Sequence, residues 1–139
     1  MESDVKKPLN ILIVEDDIPL YNLYKTELEM KGYEVSNVAD GSLAYEAVKT
    51  QEPDLVLLDL MLPNKNGLQI LEELKLQDET KAVKVIILTN FGNEDNVSKA
   101  LELGAGDYIM KYNIVPSELS EKVASFLGDA EDSAVKFIE

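Results

Sequence analysis

The chain has no cysteine and no histidine among its 139 residues. The missing cysteine excludes disulfides and thiolate metal sites. The missing histidine excludes His-based triads, imidazole acid–base catalysis and His-rich metal sites. Positive charge is scarce: 13 basic residues face 27 acids, a formal net charge of -14. Such a surface repels nucleic-acid phosphate and anionic lipid, so neither nucleic acid nor membrane is an expected partner. No apolar run is long enough to span a bilayer, and the opening MESDVKKPLN lacks an apolar signal segment. A cytoplasmic address is the default expectation. Any chemistry is left to carboxylates, hydroxyls, amides and lysines.

The length suits one domain with a core of its own, and hydrophobic residues make up 45%, enough for a globular fold rather than a disordered chain. Short apolar runs recur at 9–14 (LNILIV), 33–38 (YEVSNV), 54–59 (DLVLLD), 83–88 (VKVIIL) and 107–110 (DYIM). They have strand length and branched side chains, and three lack alternation, which suits strands covered on both faces. Between them lie stretches with helical spacing. Leu20, Leu23, Tyr24 and Leu28 mark the first, closed by Gly32. Leu43, Ala44, Ala47 and Val48 mark the second, with Asp40 as N-cap. Leu68, Leu71 and Leu74 mark the third, from Gly67. Val97, Ala100 and Leu101 mark the fourth, ending near Gly104. Leu119, Val123, Phe126 and Leu127 mark the fifth, entered through Pro116. Strand and helix alternate five times, which predicts a single doubly wound α/β domain with a mostly parallel sheet and helices on both faces. Residues 1–8 and 128–139 read as tails; the second reads as frayed chain, with a docking peptide as the sharper alternative.

Four of the apolar runs end in polar residues: Glu15-Asp16-Asp17, Asp59, Thr89-Asn90 and Lys111. In an open parallel sheet those ends share one edge, where ligands bind at the point of strand-order reversal. Neighbouring strands lie about 4.8 Å apart. Like charges about 4 Å apart repel by roughly 4 kcal/mol at an effective dielectric near 20. If the first and third strands pair, Glu15, Asp16 and Asp59 need protons or a cation to sit together. Oxygen-only ligands favour a hard ion, and Mg²⁺ fits best, since it binds one or two carboxylates and keeps waters for an incoming phosphate. Taken singly, each acid reads more simply as a solvated turn or a helix cap. Asp17, before Ile18-Pro19, has the cap reading.

ILIVEDD, PDLVLLDLMLPNKNG, VIILTN and GAGDYIMK, in this order over roughly residues 9–127, resemble a response-regulator receiver domain of the CheY-like superfamily. The resemblance implies a flavodoxin-like (βα)5 fold, residues 9–127, with strand order 2-1-3-4-5. It implies phosphorylation of Asp59 and Mg²⁺ held by Glu15, Asp16, Asp59 and the Met61 carbonyl. It implies phosphate contacts from Thr89 and Lys111, with Thr89 and Tyr108 as switch residues. Thr89 would shift toward the phosphoryl group, Tyr108 would turn inward, and the surface of the fourth helix, fifth strand and fifth helix would change for a downstream effector protein. The donor would be a phosphohistidine on a sensor histidine kinase or histidine phosphotransfer protein, from outside a chain that has no histidine. The protein would act as a stand-alone module, a monomer or weak dimer, and not as an enzyme beyond assisting its own phosphorylation and slow dephosphorylation.

Four positions stand out against the family pattern. Asn90 replaces the usual Ala or Gly, and Tyr112 replaces the proline that usually follows the lysine, often through a cis bond. Met61 and Phe91, at two positions that tune hydrolysis in the family, are apolar and poorly suited to orient an attacking water. Asn90 and Tyr112 support one alternative, a phosphate-independent pseudo-receiver that serves as an interaction module. A flavin carrier or aspartate-dependent phosphatase is a further alternative, opposed by the lack of a Gly-rich phosphate loop and of a second acid two residues after Asp59. Asn90, larger and polar, is expected to narrow access to the site or to add a donor near the phosphoryl group. The Asn90→Ala variant should therefore react faster than the parent with acetyl phosphate in stopped flow, and equal rates would remove that reading.

Overall fold

The computed structural model describes residues 7–128. Five strands, β1 (Asn10–Val14), β2 (Glu34–Val38), β3 (Leu55–Leu58), β4 (Lys84–Thr89) and β5 (Asp107–Met110), alternate with five helices. The helices are α1 (Ile18–Met30), α2 (Ala44–Gln51), α3 (Gly67–Leu76), α4 (Glu94–Glu102) and α5 (Pro116–Leu127). All strand pairs are parallel and the sheet order is β2-β1-β3-β4-β5, the flavodoxin-like order anticipated from sequence. The chain steps from β1 outward to β2, then crosses to β3 on the other side of β1. The loops after β1 and β3 therefore leave in opposite directions and open a crevice between them.

Strand side chains alternate between two cores. Leu12, Val14, Val56, Leu58, Val85 and Ile87 pack with Val48 of α2, Ile70, Leu71 and Leu74 of α3 and Ala100 of α4. Ile11, Ile13, Leu55, Leu57, Ile86 and Leu88 pack with Tyr24 and Leu28 of α1 and Leu119 and Val123 of α5. Both faces of β1, β3 and β4 are dry, which explains their unbroken apolar runs. No helix among the described residues is long and apolar enough to cross a membrane.

Local signals set most boundaries. The Asp17 carboxylate accepts from the Leu20 N–H at 3.0 Å and caps α1, with Pro19 in the first turn. Asn66 and Gln69 form a reciprocal capping box at the start of α3. Gly32, at φ +95°, follows the end of α1. Asp40 differs from its expected role: it caps the short 3₁₀ turn Gly41–Leu43, and α2 starts only at Ala44. Leu23, Leu43 and Leu101, read as core-facing, are 56%, 59% and 49% exposed. The buried stripe of α1 is Tyr21, Tyr24 and Leu28, leaving Leu23 off its axis. Leu43 belongs to the 3₁₀ turn, and the buried residue of α4 is the neighbouring Ala100. The tail 1–8 is described only at Lys7 and Pro8, and the tail 128–139 only at Gly128, so the docking-peptide reading lies outside the described residues.

Two glycines let loops meet at the crevice. A Cβ on Gly67 would lie 2.3 Å from the Asp59 carbonyl oxygen, and one on Gly41 2.0 Å from the Lys65 carbonyl oxygen. The Gly41 N–H donates to the Pro63 carbonyl at 3.1 Å, and Asn64 donates to the Asp40 carboxylate at 2.7 Å. The loop after β2 and the loop after β3 are thereby joined.

Candidate functional site

Glu15 and Asp16 follow β1 directly, Asp59 follows β3, Thr89 ends β4 and Lys111 follows β5. Val14 is in register with Leu58, so Glu15 and Asp59 leave adjacent strands at the same level. Glu15 is 2% exposed and Asp59 5%; Thr89 is fully buried, whereas Asp16 is exposed at the mouth. One carboxylate oxygen from each of Glu15, Asp16 and Asp59 lies within 4.8 Å of the others.

Donors surround the buried acids. The Lys111 ammonium lies 2.7 Å from Asp59 Oδ2 and also pairs with Glu15 Oε1. Asp59 Oδ1 accepts from the Thr89 hydroxyl at 2.6 Å and from the Met61 N–H at 3.1 Å. Glu15 Oε2 accepts from the Asp17 N–H at 3.0 Å. Burial pushes the Glu15 carboxyl above its ordinary range, against the lowering effect of Lys111 and the Asp17 N–H. Burial works to lower the Lys111 ammonium, but its bonds to Asp59 and Glu15 prevail and the net shift is upward.

With the three acids ionised, one ammonium leaves two negative charges unbalanced, which matches a divalent cation. Ligands around one octahedral Mg²⁺ lie at most about 4.2 Å apart, from bond lengths of about 2.1 Å. The acid cluster is within small side-chain adjustments of that spacing, and its all-oxygen donors suit a hard ion. These residues fit Mg²⁺.

The site also connects to the far side of β4. The Phe91 N–H donates to the Thr89 hydroxyl oxygen at 3.2 Å, and the Tyr108 hydroxyl donates to the Phe91 carbonyl. Burial, then the charge of Asp59, holds the Tyr108 phenol above its ordinary range. Asn90, Met61 and Phe91 flank the mouth with exposed side chains; Met61 is 58% and Phe91 47% exposed, so neither forms a closed cover. The Lys111–Tyr112 peptide is trans, as are all described peptide bonds, and Tyr112 is exposed.

Sequence reasoning missed Asn37, whose carboxamide donates to the Glu15 carbonyl at 3.0 Å. The available signal was an asparagine inside a strand, where that residue is depleted.

The family model "Response regulator receiver domain" matches residues 11–124. A curated relative, the phosphate regulon transcriptional regulatory protein PhoB of Pseudomonas aeruginosa, is 38% identical over 126 residues, covering 87% of this chain and 55% of the relative. The chain thus spans about half the length of the curated relatives it matches. Among solved structures, the BeF3-activated N-terminal receiver domain of Klebsiella pneumoniae RstA is 33% identical with a TM-score of 0.77, covering 85% of this chain and 97% of that one. The Mn(2+)-bound form of response regulator Rcp1 is 33% identical with a TM-score of 0.75, covering 86% and 94%.

Lys111 is the cation that pairs with both buried acids, so its removal has a defined signature. Lys111→Met should destabilise the metal-free protein at neutral pH by about 3 kcal/mol, the usual consequence of leaving a buried charge without its partner. The loss of Lys111 lifts Glu15 further. A carboxyl whose folded pKa exceeds its unfolded pKa contributes stability below the unfolded value and loses it as pH rises through the folded value. The deficit should therefore be largest at neutral pH and shrink on acidification, as read by urea denaturation in chelator at both pH values.

Proposed function

The chain belongs to the response regulator receiver domain family of two-component systems, and from that premise we propose that it receives a phosphoryl group on Asp59 with the help of Mg²⁺. The observation that carries this reading is the convergence of three carboxylates, two of them paired with one buried ammonium, at the mouth of the crevice. Glu15, Asp16, Asp59 and the Met61 carbonyl would hold the ion. Bound there, Mg²⁺ supplies charge neutralisation between the carboxylate nucleophile and an anionic phosphoryl group.

A carboxylate oxygen of Asp59 forms the new O–P bond as the P–N bond to a donor phosphohistidine breaks. The donor is a sensor histidine kinase or histidine phosphotransfer protein. Lys111 exchanges its bond to Asp59 for one to a phosphoryl oxygen, keeping a mobile point charge on the growing negative charge. Thr89, already within 2.6 Å of Asp59, turns its hydroxyl to another phosphoryl oxygen. That movement alters its bond to the Phe91 N–H, and the Phe91 carbonyl is the acceptor for Tyr108. Thr89 and Tyr108 therefore serve as the switch that changes the surface of α4, β5 and α5 for an effector protein. The receiver domain occupies residues 9–127, works in the cytoplasm, and assists only its own phosphorylation and dephosphorylation. The RstA structure's activation with BeF3 and the Mn(2+)-bound Rcp1 structure support both the phosphoryl and the cation parts of this reading.

Mg²⁺ with beryllofluoride, a mimic of the aspartyl phosphate, should shift amide resonances around Thr89 and Tyr108, and Asp59→Asn should abolish the shift. No response in the parent protein would favour the phosphate-independent interaction module. Met61 and Phe91 cannot orient a hydrolytic water, so the phosphorylated form should last minutes or more; decay within seconds would contradict that assignment.

A further inference from the structure

Asn37 stands in the edge strand β2, in register with Ile13 of β1. Edge positions of a sheet ordinarily carry solvated polar side chains, but the Asn37 carboxamide turns back over the neighbouring strand. Its nitrogen lies 2.9 Å from the Ile13 carbonyl and 3.0 Å from the Glu15 carbonyl, with the Val38 carbonyl at 3.3 Å. The amide has two N–H donors, and the two shorter contacts can use both.

The location explains the need. Registered pairing of β1 ends at Val14, opposite Val38 on one side and Leu58 on the other. The Glu15 N–H still reaches the Val38 carbonyl at 3.0 Å. The Glu15 carbonyl, one step past the last registered pair, receives its donor from the Asn37 side chain instead. The ladder is thus extended by one rung, and that rung fixes the backbone from which the Glu15 and Asp16 carboxylates project.

The choice of side chain follows from charge. An aspartate of the same shape would aim oxygens at carbonyl oxygens and add a fourth acid near Glu15, Asp16 and Asp59. A branched apolar residue would leave the Glu15 carbonyl without this donor. A carboxamide donates without adding charge. We infer that Asn37 is a positioning residue for the acid cluster, holding Glu15 and Asp16 in the arrangement that takes a divalent cation. This rests on the metal-binding reading of the site given above.

Two variants remove the donor with different shapes, Asn37→Leu and Asn37→Ala, so a folding failure of one leaves the other. Two readouts are taken on the full chain at a temperature where it is folded by circular dichroism. Mg²⁺ affinity by titration calorimetry should weaken about tenfold in both, the scale set by outer-shell partners of metal ligands. The Glu15 N–H bonds the Val38 carbonyl and the Asp17 N–H bonds the Glu15 carboxylate, so their hydrogen exchange without metal should quicken roughly tenfold, while the interior of β3 and β4 keeps its protection. A purely structural role would instead lower protection throughout the sheet and leave Mg²⁺ affinity of the folded protein unchanged. Affinity within twofold of a parent that binds Mg²⁺ overturns the inference alone. A parent that binds no Mg²⁺ at millimolar concentration overturns the metal reading and the inference with it.

Discussion

A single ammonium shared by two buried carboxylates organises the crevice. Lys111 follows β5, whereas Asp59 and Glu15 follow β3 and β1, so the bridge spans the ends of three strands that are distant in sequence. Desolvation makes either acid alone unfavourable there, and a buried lysine would be equally unfavourable without them. The arrangement holds because each charge is answered, and it stays short of balance because Asp16 adds a third acid at the rim. That shortfall leaves the site able to accept further positive charge.

Proton donors also converge on Asp59 from elements that report outward. Thr89 touches Asp59 on one side and the Phe91 main chain on the other, and Tyr108 closes the series on the Phe91 carbonyl. In the proposed reaction, bond making at Asp59 alters the partners of Thr89 first. No long-range field is needed, because each step is a contact between adjacent groups. The equilibrium can shift only by the difference in bonding between the two arrangements.

Much of the architecture was legible because buried parallel strands have an unmistakable texture. Runs such as LVLL and VIIL are apolar at every position since both faces are dry, and the polar residue that follows each one marks the sheet edge. The meeting of Glu15, Asp16, Asp59, Thr89 and Lys111 at that edge follows from topology, and the hydrogen bonds then refine it. Individual helix positions were less legible. Leu23 and Leu101 fit a helical stripe loosely, but the buried line runs through their neighbours, and leucine on an exposed face carries little penalty. Asp40 showed its capping chemistry but not the 3₁₀ turn it serves. Asn37 was hidden because its function is carried by a side chain bonding to another strand's backbone, which leaves no periodic trace.

The close approach of Gly41 to the Lys65 carbonyl gives the crevice one fixed jaw. The loops after β2 and β3 interlock through Gly41, Pro63, Asp40 and Asn64, with no room for even a methyl group between them. On the opposite side of the crevice the registered β4–β5 pairing runs to Thr89 and Met110, and beyond it the Tyr108 hydroxyl donates to the Phe91 carbonyl in the loop after β4. In the proposed reaction the contacts that would change with Asp59, from Thr89 and then from Tyr108 to Phe91, lie on the β4–β5 side. The interlocked loops after β2 and β3 would then be the anvil against which those contacts move.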